Sequence, residues 1–314
     1  LIQIGMNPNI INAGGFVLSW HGFFTFVAVA VGVFQVARWA KRAGIDTEAV
    51  YAVAVWCVVG GIIGARTVHV IDRWDYYGQN PGQILAVWQG GIGLWGAILF
   101  GFLGGAAYIG GRRLLARIYS GQTMGWFKKL MGEKIAQGYL NGVMWARFKD
   151  FSIGRLADVT APAMLIAQTI GRIGDIINGE HTAQATGLPW GFVYSHPLSP
   201  SFQQWGLNGS QPVIAYEMLW NMVVLFVIWK LRDRLAPPGM LFTLYLMLYA
   251  LGRFFIQFLR MDKVWFAGLQ EAHVIALAVL LVTVPLLAYK ARFVKAAPTQ
   301  AVTARQRRRA RGKG

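Results

Sequence analysis

Seven separate stretches of this chain are mostly apolar and about 20 residues long, the length a helix needs to cross the hydrocarbon core of a bilayer. They fall at 14–37, 48–70, 90–110, 157–177, 212–231, 239–260 and 269–290. Only 14% of the residues are charged, against about 25% in a typical soluble domain. Soluble globular, disordered and collagen-like folds are therefore excluded. The first span is too long, and too plainly followed by others, to be a cleaved signal peptide. Glycines spaced as Gly60-Gly61-x-x-Gly64 and Gly101-x-x-Gly104-Gly105 predict close helix approach inside the membrane. The expected fold is an all-α integral membrane protein with seven transmembrane helices.

The distribution of charge sets the direction of the spans. The chain carries 30 Lys and Arg against 13 Asp and Glu, a net +17. Twenty-four of those 30 basic residues lie in 38–42, 112–155, 230–234 and 290–313. In a seven-span layout these segments share one side, which the positive-inside rule assigns to the cytoplasm. The N-terminus is then outside and the C-terminus cytoplasmic. The excess charge is thus a topology signal, with attraction to anionic membrane lipids, and nucleic acid is not an expected partner. The domain expected is 1–290, followed by a basic, disordered tail at 291–314. Within it, 112–155 is a basic cytoplasmic insertion. Its mixture of Trp126, Phe127, Trp145 and Phe148 with Lys and Arg suits an amphipathic helix on the inner leaflet, or a docking element for a protein partner. On the outer side, 178–211 is expected to form a small cap. Its stretch 181–211 has no charged residue and is rich in Pro, Gly, Ser and Gln.

Metal and cofactor chemistry finds little support. The single cysteine, Cys57, lies in an apolar run and can form no internal disulfide. His21, His69, His181, His196 and His273 show no paired helical metal spacing. No metal and no cofactor is expected.

Ionisable residues inside membrane spans are costly and point to function. Here they gather at one depth. With each span's direction assigned, His21, Arg66, Arg172, Asp175, Glu217, Arg253, Gln257, Arg260, Glu271 and His273 all fall in the outer half. Arg253, Gln257 and Arg260 are spaced i, i+4, i+7 and share one helix face, while Arg172 and Asp175 are i, i+3 neighbours. The pattern predicts a polar, net cationic cavity at outer-leaflet level, suited to bidentate capture of a phosphate. A phospholipid headgroup is the phosphate most available there. The bland alternatives are snorkelling of Arg66 or its pairing with Asp72 or Asp75, pairing of Arg260 with Asp262, and ion pairs of Arg172 and Arg253 with Asp175, Glu180 or Glu217.

The segment Gly171-Arg172-Ile173-Gly174-Asp175-Ile176-Ile177-Asn178-Gly179-Glu180 closely resembles the signature of the prolipoprotein diacylglyceryl transferases, commonly G-R-x-G-N-F-x-N-G-E. Other pieces follow in the family's order: Ser19-Trp20-His21-Gly22, Gly64-Ala65-Arg66, Val87-Trp88-Gln89-Gly90-Gly91-Ile92, Leu188-Pro189-Trp190 and Tyr216-Glu217. Tyr249 and the run Gly252-Arg253-Phe254-Phe255-Ile256-Gln257-Phe258-Leu259-Arg260 resemble its sixth helix. The likeness runs from about 15 to 285, outside 112–155.

That resemblance implies a bacterial plasma-membrane enzyme. It would move the diacylglyceryl group of phosphatidylglycerol to the lipobox cysteine of a prolipoprotein signal peptide and release glycerol-1-phosphate. Charge on the leaving phosphate must be stabilised, which pre-placed arginines do well in a dry site, and a thiol of pKa about 8.5 must lose its proton. By the resemblance, Arg172 and Arg253 bind and polarise the phosphate, with His21 and Glu180 as further catalytic candidates. Arg66, Asp175, Asn178, Gly179, Tyr249, Gln257, Arg260, Trp95 and Glu217 are expected to line the substrate site. Several positions depart from the family's pattern, among them His181-Thr182-Ala183 after Glu180, where a common pattern ends in Gly. Trp95 stands where many members have the histidine of a His-Gly-Gly, Asp175 replaces the usual Asn, and Gln257 replaces a frequent Glu. His21 is then the first candidate for the base, with Glu180, His181 or a water chain as alternatives. These departures and the 112–155 segment also motivate a rival reading, a catalytically altered relative serving as a lipid-binding accessory subunit of a larger membrane complex.

Overall fold

A computed structural model describes residues 1–13, 16–86, 94–120, 129, 132 and 152–294, without the side chains of 16, 94, 95, 115–120 and 266. The chain is mostly helical. The long helices are α1 (Trp20–Arg42), α2 (Thr47–Asp72), α4 (Leu94–Ser120), α5 (Ile153–Asn178), α7 (Val213–Leu231), α8 (Met240–Gln257) and α9 (Glu271–Lys290). Two short helices, α3 (Trp74–Tyr77) and α6 (Pro200–Trp205), lie in the connections. Most of 112–155, the tail beyond 294 and the side chain of Trp95 fall outside the described residues.

Among the described residues, α1, α2, α7, α8 and α9 are long and apolar enough to cross a membrane, and only 17–39% of each apolar stretch is buried within the protein. Phe26, Phe34, Val55, Ile62, Phe226, Leu281 and Val282 instead face outward. A helix apolar on all sides needs an apolar surround, and here lipid supplies it. Helices α4 and α5 have 27 and 26 residues and so match the required length. Helix α5 is less apolar, carrying Arg155, Asp158, Gln168, Arg172 and Asp175 along with Pro162 in its interior.

The all-α expectation is corrected in detail. Four two-stranded sheets occur among the described residues. Strand β1 (Ile2–Ile4) runs parallel to β4 (Phe192–Tyr194), and β2 (Asn9–Ala13) pairs with β3 (Phe16–Ser19) in a hairpin. Small pairs also join β5 (Leu235–Ala236) to β8 (Arg292–Phe293) and β6 (Val264–Phe266) to β7 (Leu269–Gln270). The first span therefore starts later than hydropathy predicts. Residues 16–19 are strand, and α1 begins at Trp20, where the Ser19 hydroxyl accepts from the Gly22 amide at 3.1 Å. That bond is an N-cap and satisfies one of the helix's orphan donors.

The chain divides into two compact units, Thr25–Ile170 and Leu1–Phe24 with Gly171–Gly314. In the first, Ala37, Ala40, Ala49, Val50, Val53, Ile109 and Leu156 form a core of mainly small side chains. Helices α2 and α4 make its most extensive contact. The glycines form the seam: a Cβ on Gly61 would lie 3.2 Å from the Ala97 carbonyl oxygen, and one on Gly101 would lie 3.2 Å from that of Cys57. Backbone thus packs on backbone, as small-residue spacing in membranes allows. In the second unit, Ala183, Val213 and Ile214 pack with Ile176, Met218, Ile256 and Leu259. This core joins the end of α5 to α7 and α8.

A larger side chain in the glycine seam will separate α2 from α4. Gly61→Leu should lower the thermal unfolding temperature in micelles by an amount equivalent to about 1–3 kcal/mol. Gly110→Leu, at a site with nothing within 4 Å of a built Cβ, should leave it unchanged. Equal unfolding temperatures for the two variants would refute the seam.

Candidate functional site

The site is built at the C-terminal end of α5. Gly179 takes φ +69°, and the amides of Gly179 and Glu180 turn back to the carbonyls of Ile176 and Asp175 at 3.4 and 3.1 Å. This is the Schellman arrangement, for which glycine is the natural residue. The segment 192–205 covers the same helix end. The Tyr194 hydroxyl donates to the Ile176 carbonyl at 2.8 Å, and the Ser201 hydroxyl donates to the Gly179 carbonyl at 2.8 Å. Burial first, then the Asp175 charge, pushes the Tyr194 hydroxyl above its ordinary value, so it remains a donor. One turn back, Gly174 lets α5 approach the start of α1. A Cβ there would meet His21 Cα and the Trp20 carbonyl oxygen at 2.7 Å each.

That approach brings His21 to Asp175, with Nδ1 and Oδ1 2.5 Å apart. The other carboxylate oxygen, Oδ2, accepts from Arg172 Nη1 at 2.7 Å. Arg172 Nη2 reaches Glu217 Oε2 on α7 at 2.5 Å. Glu217 in turn accepts from Arg253 on α8, and Arg260 Nη1 lies 3.8 Å from the same Oε1. Tyr249 precedes Arg253 by one helical turn on α8. The Asp175 and Glu217 side chains are 4% and 7% exposed, while Arg172 and Arg253 keep 18% and 19%. Buried carboxylates therefore hold two arginines that remain partly open.

A second layer supports the first. Arg260 Nε donates to Asp262 Oδ2 at 2.8 Å, and its Nη2 lies 2.9 Å from His181 Nδ1. Burial works against ionisation of Asp262, but the hydrogen bond and charge of Arg260 prevail and hold its carboxyl below the usual range. The Gln257 amide donates to Asp262 Oδ2 at 2.7 Å and to Gln270. Gln270 donates to the Arg260 carbonyl at 2.9 Å, and His273 Nδ1 accepts from the Gln270 amide at 3.2 Å. Asn178 donates to Glu180 at 3.3 Å. Buried Asn178 Oδ1, Gln257 Oε1 and Arg260 Nη1 have no hydrogen-bond partner among the described residues.

Eleven of the thirteen residues singled out in the sequence thus lie in one unit: His21, Arg172, Asp175, Asn178, Gly179, Glu180, Glu217, Tyr249, Arg253, Gln257 and Arg260. Arg66 and Trp95 belong to the other unit. Arg66 neither snorkels nor pairs with Asp72 or Asp75 in the contacts observed. It is buried, donates to the carbonyls of Ile84 and Gln83 at 2.8 and 2.6 Å, and stacks 5.1 Å from the Tyr77 ring centre. The expectation of a net cationic cavity is also corrected, since Arg172, Arg253 and Arg260 are in contact with Asp175, Glu217 and Asp262. Sequence reasoning missed Gln270, Tyr194 and Ser201. Gln270 opens the last span, but the register that brings it to Gln257 is not written in either segment. Among the described residues, no group of His, Cys, Asp and Glu is arranged to hold a metal ion.

The sequence matches the family described as prolipoprotein diacylglyceryl transferase over residues 8–122 and 135–289. The break at 123–134 is shorter than the 112–155 segment set apart on resemblance. A phosphatidylglycerol–prolipoprotein diacylglyceryl transferase of Thermosynechococcus vestitus is 32% identical over 266 residues, covering 84% of this chain and 85% of its own. Its namesake in Synechococcus elongatus is 30% identical over 279 residues, covering 86% and 82%. That of Listeria innocua is 29% identical over 290 residues, covering 91% and 90%. With the signature carried at the ion network and the match spanning most of its length, the chain belongs to the prolipoprotein diacylglyceryl transferase family.

Proposed function

We propose that the ion network at the end of α5 is where this chain performs its family's reaction. The chain is a transferase that moves the diacylglyceryl group of phosphatidylglycerol to a prolipoprotein. The acceptor is the lipobox cysteine thiol of the signal peptide. Its sulfur bonds to the glycerol carbon as a thioether, the carbon–oxygen bond to phosphate breaks, and glycerol-1-phosphate leaves with the electron pair. The observation that carries the reading is the convergence of Arg172 and Arg253, from two helices, on the single carboxylate of Glu217. Glu217 holds both guanidinium forks where an anion can share them, so little reorganisation is needed as charge develops on the leaving phosphate. Arg260, Asn178, Gly179, Glu180, Tyr249 and Gln257 shape the surround. The lipid-binding assignment of Arg66 and Trp95 rests on resemblance alone.

The protein is a multi-pass membrane protein. Its finer topology is seven spans of the bacterial plasma membrane, with the N-terminus and the 178–211 cap outside and the basic segments in the cytoplasm. The concentration of Lys and Arg in alternate connections supports this orientation.

Purified protein mixed with phosphatidylglycerol micelles and a lipobox peptide should add a diacylglyceryl mass to the peptide. Arg172→Ala and Arg253→Ala should each slow that gain by at least about 100-fold. Arg253→Lys keeps the charge but loses the fork, and should fall between wild type and alanine. Alanine variants that fold and transfer at the wild-type rate would remove the arginines from the mechanism.

Orientation can be read in cells with Cys57→Ser as background. Ser195→Cys should react with a membrane-impermeant maleimide in intact cells, and Asp233→Cys only after the membrane is opened. Both positions are exposed, so the opposite labelling pattern would invert the topology.

A further inference from the structure

Asp175 stands between two histidines, and their surroundings differ. His21 Nδ1 lies 2.5 Å from Asp175 Oδ1, and the His21 side chain is 46% exposed. Its Nε2 has no hydrogen-bond partner among the described residues. His181 Nε2 lies 3.6 Å from Asp175 Oδ2, and its Nδ1 lies 2.9 Å from Arg260 Nη2. A guanidinium can only donate, so His181 Nδ1 must carry a lone pair and its ring proton must sit on Nε2, facing Asp175. No lone pair is left on His181 to accept a proton. Its ring is held by these two contacts, one on each nitrogen.

The opposite assignment applies to His21. Asp175 Oδ2 accepts from Arg172 at 2.7 Å, as an ionised carboxylate does, and an ionised carboxylate only accepts. His21 Nδ1 must therefore donate, which puts the lone pair of the neutral ring on the open Nε2. A carboxylate orienting an imidazole so that its far nitrogen can accept a proton is the arrangement by which histidine serves as a general base. The remaining charged groups acting on His21 are Glu180 and Arg172.

We propose that Asp175 is a positioning residue that presents His21 Nε2 as the base for the acceptor thiol, with His181 held out of that role by Arg260. The proposal rests on the transfer reading above. In the step, the thiol proton passes to Nε2 and the resulting imidazolium is balanced by Asp175. The thiolate forms the bond to the glycerol carbon as the phosphate ester departs toward the arginines. The proton then leaves Nε2 to water.

Asp175→Asn tests the assignment. The Asn oxygen can still accept from Arg172, which leaves the amide group facing His21 and able only to donate to Nδ1. The imidazole must then carry its proton on Nε2. In 15N-histidine spectra of the full-length protein in micelles, the resonance lost in His21→Gln should report an Nδ1-protonated ring in wild type. It should report an Nε2-protonated ring in Asp175→Asn. In the transfer assay, kcat should fall about 100-fold or more in Asp175→Asn, with KM for phosphatidylglycerol within about threefold of wild type. His21→Gln leaves the Arg172–Asp175 pair intact and covers the case in which Asp175→Asn fails to fold. It should show the same loss of kcat, and the double variant should fall no further. An unchanged tautomer, an effect on KM alone, or losses that multiply in the double variant would overturn the proposal. A wild type without transfer overturns the transfer reading instead, whatever the tautomer of His21.

Discussion

The ion network at the end of α5 depends on one carboxylate, Glu217, held by arginines from two other segments of the chain. Burying a charge is expensive, and a buried pair recovers that cost only with good geometry. Here Arg172, Arg253 and Arg260 approach Glu217, and Asp175 and Asp262 complete the balance. The network ties the end of α5, the start of α7, the last turn of α8 and the residues just past it into one electrostatic unit. Breaking a buried pair from one side costs about 3–5 kcal/mol because it strands the other charge. Positions in such a network are therefore tightly constrained for structure as well as for chemistry. A cluster made this way is charged and largely desolvated in the folded chain itself.

Much of this was legible in the residues themselves. Polar side chains in apolar spans are rare enough that their depth alone gathered His21, Arg172, Asp175, Glu217, Arg253, Gln257 and Arg260, and the structure brings these together in one unit. Five of the spans, α1, α2, α7, α8 and α9, were legible for the same reason, since hydropathy is a property of composition. What hydropathy cannot do is separate a strand from a helix in a short apolar run. Residues 16–19 read as part of the first span and are strand, although the Ser19 cap ahead of Gly22 marked the true start. Partners distant in sequence were the other loss. Arg66 is held by backbone carbonyls at 83 and 84, groups every residue carries and no sequence pattern reveals.

The departures from the family pattern take on meaning together. Asp175 stands where the signature usually has an amide, and Gln257 stands where a carboxylate is frequent. The two changes exchange an amide and a carboxylate between α5 and α8 and leave the number of negative charges in the cluster unchanged. At 175 the carboxylate faces Arg172 and His21. At 257 the amide donates to Asp262 and Gln270, which a carboxylate could not do.

The cover that 192–205 makes over the end of α5 is bonded in place. Tyr194 and Ser201 hydrogen-bond the last carbonyls of that helix, and a helix end stripped of such partners in a dry setting is left with unpaid polar groups. Segment 192–205 is therefore fastened to the end of α5, and lifting it would strand the Ile176 and Gly179 carbonyls.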